Sequence, residues 1–193
     1  MEKRIVYIIH QWWSSPTKDW YPWLKKELEK RGFKVFVPKM PDTNTPKINA
    51  WVYKLRKLAK KADENTYFVG HSIGAQAIMR YLEKLPKGKT IGGAIFVAGW
   101  ISLVNLEPAE INIAKPWLET KINFAKVKKS AKKFVAVFSD DDLYVPLGQN
   151  SKVFKQKLGA KIVIQHKKGH FSGSDGIKKL PIVLSELLKM VKK

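Results

Sequence analysis

Six short apolar runs, each followed by a stretch that turns polar or takes up helical spacing, constrain this chain more than any other feature. The runs occupy residues 4–9, 33–38, 66–70, 91–99, 133–139 and 160–165. Helical patterns occupy 20–30, 48–59, 73–85, 124–132, 147–158 and 181–191. Strands alternating with helices argue for an α/β fold, a six-stranded parallel sheet with helices on both faces. The run 91–99 is nearly all apolar, as a strand buried on both faces must be. Gly32 and Gly159 stand where two helices should stop, and Thr45-Pro46 reads as an N-cap and first-turn proline. Residues 100–123 contain Pro108, Pro116 and two tryptophans, and read as an irregular insertion or a short lid. No linker, repeat or composition shift divides the chain, so residues 1–193 read as one domain.

In such sheets, ligands bind beyond the carboxyl ends of the strands. The informative segments are therefore 10–15, 70–74, 99–102, 139–146 and 166–172. In the second of these, Gly70-His71-Ser72-Ile73-Gly74 joins a strand to a helix. A serine in that position sits on a tight, strained turn that pushes its hydroxyl out at the sheet edge. The glycines remove Cβ atoms that would clash with strand and helix. The alternative is a glycine-rich turn with an incidental serine.

A serine hydroxyl needs a base to act as a nucleophile. Only His166 and His170 follow Ser72 among the four histidines. His170 stands on a glycine-containing loop, Lys168-Gly169-His170-Phe171, whereas His166 directly ends the apolar run; His170 is the better candidate. The orienting acid should follow the fifth strand, where Asp140, Asp141 and Asp142 are adjacent. Asp142 stands four residues before Pro146, where the next helix begins, and is preferred. Asp141 is the fallback, and Asp140 and Asp141 read as turn formers.

These segments carry a family resemblance. The chain resembles the retinoblastoma-binding protein 9-like small serine hydrolases of the α/β-hydrolase superfamily, over nearly its whole length. The marks are Trp20-Tyr21-Pro22-Trp23-Leu24-Lys25-Lys26, Pro38-Lys39-Met40-Pro41, Gly70-His71-Ser72-Ile73-Gly74, Asp142-Leu143-Tyr144-Val145-Pro146 and Gly169-His170-Phe171. The resemblance implies a compact six-stranded hydrolase sheet with no large cap domain and a triad of Ser72, Asp142 and His170. The leading reading of these residues is a carboxylesterase-like serine hydrolase that cleaves esters of short to medium acyl chains through an acyl-enzyme, with no cofactor and no metal; amide, thioester and lactone cleavage would use the same machinery. Serine at the elbow argues against a dehalogenase. The mammalian pocket-protein contact uses a cysteine-containing motif, and this chain has no cysteine, so that partner does not carry over.

One residue departs from the pattern. Relatives usually have glycine after the first strand, where this chain reads Ile9-His10-Gln11-Trp12-Trp13. The oxyanion hole is expected to use the N–H of Ile73 and that of Trp12 or Gln11. Either Gln11 twists the loop and costs activity, or its side-chain amide joins the hole. Trp13, Trp100 and His71 are assigned to the substrate pocket beside Trp12, and Trp117 to the lid.

Charge is the remaining outlier: 37 Lys and Arg against 16 Asp and Glu, a net +21. The lysines are dispersed, which favours a solvated surface over a dedicated basic site. The rival reading is a weakly active or non-catalytic module that binds nucleic acid or an acidic protein. The main reading predicts a small-molecule ester substrate, non-specific contact with polyanions at most, and a monomer or small homo-oligomer. Absence of cysteine fits a reducing compartment. The first apolar run is too short for a signal peptide and no run is long enough to span a membrane, so a cytoplasmic protein is expected. The last helix should pack on the sheet and not on a membrane.

Overall fold

The computed structural model describes residues 4–192. Six strands form one sheet: β1 (Ile5–Ile9), β2 (Lys34–Phe36), β3 (Thr66–His71), β4 (Gly93–Val97), β5 (Phe134–Ser139) and β6 (Lys161–Gln165). Every pairing is parallel, in the order β2-β1-β3-β4-β5-β6. The register sets Ile9 beside Gly70 and His71 beside Val97. The strand order reverses between β1 and β3, so their carboxyl ends flank the crevice where open sheets of this type bind ligands.

The helices are α1 (Tyr21–Glu29), α2 (Ile48–Leu58), α3 (Ile73–Leu82), α4 (Pro108–Glu119), α5 (Phe124–Lys129), α6 (Leu147–Val153) and α7 (Pro181–Val191). A π-helical turn, Phe154–Leu158, continues α6 and ends at Gly159, whose φ of 68° gives a left-handed stop. Right-handed crossovers put α1 and α2 on opposite faces, because the chain leaves β1 in one direction and returns past it in the other. Accordingly α1 packs with α7, while α3 packs with α2 and α5. The three central strands β3, β4 and β5 are buried along their whole length; β6, at the edge, is half exposed. No described helix is long and apolar enough to cross a membrane.

Two local expectations are corrected. Residues 100–123 are not irregular throughout, since α4 runs from Pro108 to Glu119. Pro108 lies in the first turn, where no N–H is needed, and Glu107 N–H donates to Glu110 Oε2 at 2.7 Å to fix the start. Pro116 sits within the helix. Arg80, buried on α3, holds the far end by donating to the Trp117 and Thr120 carbonyls at 2.8 Å each. Trp117 is a buried anchor that donates its indole N–H to the Pro46 carbonyl, not an exposed lid residue. The second correction concerns Thr45, which is not the cap of α2. Lys47 occupies that position without a side-chain cap, and the helix opens at Ile48.

Candidate active site

The turn at Ser72 is strained. Its φ is 52° and ψ is −117°, a conformation that non-glycine residues adopt only when their surroundings hold them. Two close approaches supply the hold. A Cβ on Gly70 would lie 2.6 Å from Ile78 Cδ1 and 2.7 Å from Ala75 N, so glycine lets strand and helix meet. A Cβ on Gly74 would press on the Ile9 and His10 carbonyls, so glycine lets α3 close onto the end of β1. Ser72 N–H donates to the Val97 carbonyl. The Ile73 N–H, first in the helix, has no partner among the described residues, and the helix start favours negative charge there.

The loop after β1 resolves what Gln11 does. Its N–H donates to the Tyr21 hydroxyl at 3.0 Å, and its side-chain amide donates to Asp19 Oδ2 at 3.2 Å. Its carbonyl lies 2.8 Å from His10 Nδ1, while His10 Nε2 accepts from the Met40 N–H at 3.0 Å. His10 is therefore neutral with its proton on Nδ1, and burial lowers its pKa. Because the peptide unit is planar, fixing the Gln11 carbonyl also aims the Trp12 N–H the opposite way. That N–H has no partner among the described residues. The Gln11 side chain is thus turned toward Asp19, and of the two backbone candidates only Trp12 has a free donor.

His170 Nδ1 lies 2.8 Å from Asp142 Oδ2, and both side chains are largely buried. The other Asp142 oxygen accepts the Tyr144 and Val145 N–H groups. An imidazole that donates from Nδ1 to a carboxylate keeps an Nε2 lone pair. The neighbouring acids hold the same loop in sequence order. Asp140 accepts from His166 and the Lys167 N–H, and Asp141 from the Lys168 and Gly169 N–H groups. Hydrogen bonds lower both carboxyls, from Ser139 first at Asp141 and from the Lys167 N–H first at Asp140. They brace the histidine loop, a larger task than forming their own turn. His166 is exposed, paired with Asp140, and is not in the wall of the cavity that Ser72 lines.

Ser72 and His170 line one cavity of about 730 Å³ together with Gln11, Trp12, Trp13 and Trp100. This falls within the usual size range of small-molecule sites. Leu103, Leu106, Leu143 and Tyr144 extend its apolar wall, so residues of the 100–123 segment form one side. Lys18, Asp19, Asp175 and Lys178 add charged groups to its lining. Ser72 Oγ accepts from the Trp100 indole N–H at 3.2 Å and makes no hydrogen bond to His170 among the described residues. His71 is not in the cavity wall. It ends β3 with its side chain fully buried against Tyr21, its ring 5.5 Å from that of His170. Among the described residues, no group of three or more His, Asp or Glu is placed to hold a metal ion.

Sequence reasoning missed Asp19, which joins three segments. Its carboxylate accepts from Ser14 Oγ at 2.6 Å, Gln11 Nε2 and the Gly173 N–H at 2.6 Å. Burial alone would raise this carboxyl, and the Ser14 and Gly173 hydrogen bonds outweigh it to leave a lowered value. A signal existed: Asp19 is the only acid between Glu2 and Glu27.

A protein-family model described as Serine hydrolase matches residues 6–189. YdeN of Bacillus subtilis (strain 168) is 36% identical over 183 residues, which cover 94% of this chain and 93% of the relative. Serine hydrolase RBBP9 of Rattus norvegicus is 28% identical over 179 residues, 91% of this chain and 86% of the relative. The crystal structure of the B. subtilis ydeN gene product superposes with a TM-score of 0.91 at 33% identity, covering 99% of this chain and all of that one.

Proposed function

The chain belongs to the serine hydrolase family, within the α/β-hydrolase superfamily, and on that premise we propose that it is a carboxylesterase-like enzyme acting on esters of short to medium acyl chains. The observation that carries this reading is the meeting of Ser72, on its strained turn, with the His170–Asp142 pair in one apolar-walled cavity.

In the proposed reaction, a rotation about the Ser72 side chain brings Oγ to His170 Nε2. Oγ attacks the ester carbonyl carbon as its proton passes to Nε2. Asp142 accepts the Nδ1–H throughout, fixing the tautomer and stabilising the imidazolium. The carbonyl oxygen, now an oxyanion, accepts from the Ile73 and Trp12 N–H groups. Each such donor is commonly worth about 2.7–4 kcal/mol in the transition state. The C–O bond to the alcohol breaks, and the departing oxygen takes the proton from His170. Water then attacks the acyl-Ser72 ester with His170 again as base, releasing the acid and restoring the serine. The Trp12, Trp13, Trp100 and leucine side chains suit an acyl chain. Residues 100–123 would act as a fixed wall, since Arg80 and Pro46 both hold Trp117 in place.

Hydrolysis of p-nitrophenyl esters from acetyl to dodecanoyl, by wild type and by Ser72→Ala, tests this directly. Turnover by the wild type that Ser72→Ala abolishes supports the reading, and the chain-length profile measures the pocket. Equal background rates for both proteins would overturn it.

A further inference from the structure

We propose that Tyr21 and His71 are positioning residues that tie the loop after β1 to the loop carrying His170, so that the oxyanion donor and the base keep one mutual geometry. The inference rests on the reading of Ser72, His170 and Trp12 given above.

The atoms form one directed chain of hydrogen bonds. His71 Nε2 lies 2.7 Å from the His170 carbonyl oxygen, which can only accept, so Nε2 carries the proton. His71 Nδ1 lies 2.8 Å from the Tyr21 hydroxyl oxygen. Burial, reinforced by the neighbouring His170, lowers the His71 pKa to about 4, so the ring is neutral near pH 7 and Nδ1 must accept. Tyr21 O–H therefore donates to Nδ1, and its oxygen is left to accept the Gln11 N–H at 3.0 Å. The sequence Gln11 N–H to Tyr21 O–H to His71 to His170 C=O thus has one consistent polarity. Every donor and acceptor is used, and the phenol is fully buried.

Two flanking bonds run in parallel. Trp20 Nε1–H donates to the Phe171 carbonyl at 3.1 Å, and Asp19 accepts the Gly173 N–H. Positions 21, 20 and 19 therefore secure positions 170, 171 and 173, the first through His71. The loop needs this hold because Lys167, Gly169 and Phe171 all have positive φ values, between 52° and 59°. Aspartates 140 to 142 hold its first half. Two of these links also reach Gln11, the residue next to Trp12: Asp19 through the Gln11 side-chain amide, and the Tyr21–His71 link through the Gln11 backbone N–H. A shift of either loop would be transmitted to the other through three hydrogen bonds. Such coupling acts on the transition state, where His170 and the oxyanion donor work together, more than on substrate capture.

The test is steady-state hydrolysis of p-nitrophenyl acetate by wild type and Tyr21→Phe. It is paired with ring-nitrogen NMR of the uniformly ¹⁵N-labelled protein, the His71 signals being assigned through His71→Gln. Tyr21→Phe keeps the ring and removes only the bridging oxygen. It is expected to lower kcat roughly tenfold with KM changed less than about twofold. The wild-type spectrum should show His71 protonated on Nε2. An unchanged kcat in Tyr21→Phe overturns the tie, as does a His71 proton found on Nδ1. If wild-type Ser72 takes up no fluorophosphonate probe, the proposed hydrolase chemistry fails instead. The nitrogen spectrum then decides the tie alone.

Discussion

Trp100 donates its indole N–H to Ser72 Oγ at 3.2 Å, so the hydroxyl rests on the tryptophan and not on His170. The indole is nearly inaccessible, at 1% exposure, and is fixed from its backbone side by Gln76, whose side-chain amide donates to the Trp100 carbonyl. In the proposed mechanism this contact belongs to the resting serine and must be left before attack. An interaction present in the ground state and absent from the transition state raises the barrier.

Trp100→Phe keeps an aromatic wall and deletes the N–H. A neutral hydrogen bond of about 1 kcal/mol translates into a rate gain of roughly fivefold. The acylation rate, read from the burst of p-nitrophenol under pre-steady-state conditions, should therefore rise by up to that factor. A fall in the burst rate would mean that the indole holds the serine in its attacking position, contrary to this account.

Gly74 and Gly148 are both helical glycines, and their expected responses to alanine are opposite. A Cβ at Gly74 would meet the Ile9 carbonyl and lie 2.9 Å from the His10 carbonyl oxygen, whereas a Cβ at Gly148 meets nothing within 4 Å. Gly74→Ala should cost about 2–3 kcal/mol of stability by forcing α3 off the end of β1. It should also lower esterase activity, because the same contact sets the spacing between the Ile73 and Trp12 N–H groups. Gly148→Ala should be neutral or stabilising by up to about 1 kcal/mol. Urea unfolding of both variants measures the contrast, and equal effects at the two sites would refute the close-approach argument.

These glycines also show why part of the molecule was legible in sequence. Strand–helix alternation is a local signal, and so is a serine between glycines where a strand becomes a helix. Asp142 and His170 could be placed because each follows its own strand. Other features depend on contacts between distant residues. Tyr21 meets His71 across 50 positions, and Gly173 meets Asp19 across 154. No spacing rule encodes either pair. Nearness to Ser72 in sequence suggests His71 for the pocket, but its partners, Tyr21 and the His170 carbonyl, come from distant segments. Pro116 suggested irregular chain because its cost is local, while the Arg80 contacts that secure the helix end come from another element. The Gln11 question was open for the same reason, since its side-chain partner is Asp19.

Stability should depend on pH through the two buried neutral histidines. Burial lowers the pKa of His10 and brings that of His71 to about 4, against an ordinary value of 6.5. Between those values the unfolded chain binds more protons than the folded one, so stability rises with pH across the window. The stabilising effect of keeping His71 neutral is fully present above pH 6.5 and is lost as pH falls toward 4. For His71 alone the loss is on the order of 3 kcal/mol. Asp19 contributes little to this window, because the stabilising effect of its lowered carboxyl is present above the ordinary value of 3.8 and is lost mainly as pH falls below it. Urea midpoints at pH 7.5, 5.5 and 4 should fall in that order for wild type and more shallowly for His71→Gln. Parallel curves would remove His71 as the cause.

The +21 charge should be felt by the substrate even without a dedicated anion site. Lys18 and Lys178 line the cavity without an ion-pair partner among the described residues. The carboxylates there are already engaged: Asp19 by three donors, Asp175 by the Ser172 N–H and hydroxyl, and Glu110 by the Glu107 N–H. A long-range positive field raises the local concentration of anionic molecules and is screened by salt. The Debye length shrinks from about 30 Å at 0.01 M to about 8 Å at 0.15 M ionic strength. For a p-nitrophenyl ester carrying a distal carboxylate, kcat/KM should therefore fall roughly two- to fivefold over that range. The neutral ester of equal length should stay flat. Lys18→Gln combined with Lys178→Gln should flatten part of the anionic slope and leave the rest to the dispersed lysines. Equal salt slopes for the two esters would make the charge irrelevant to substrate capture.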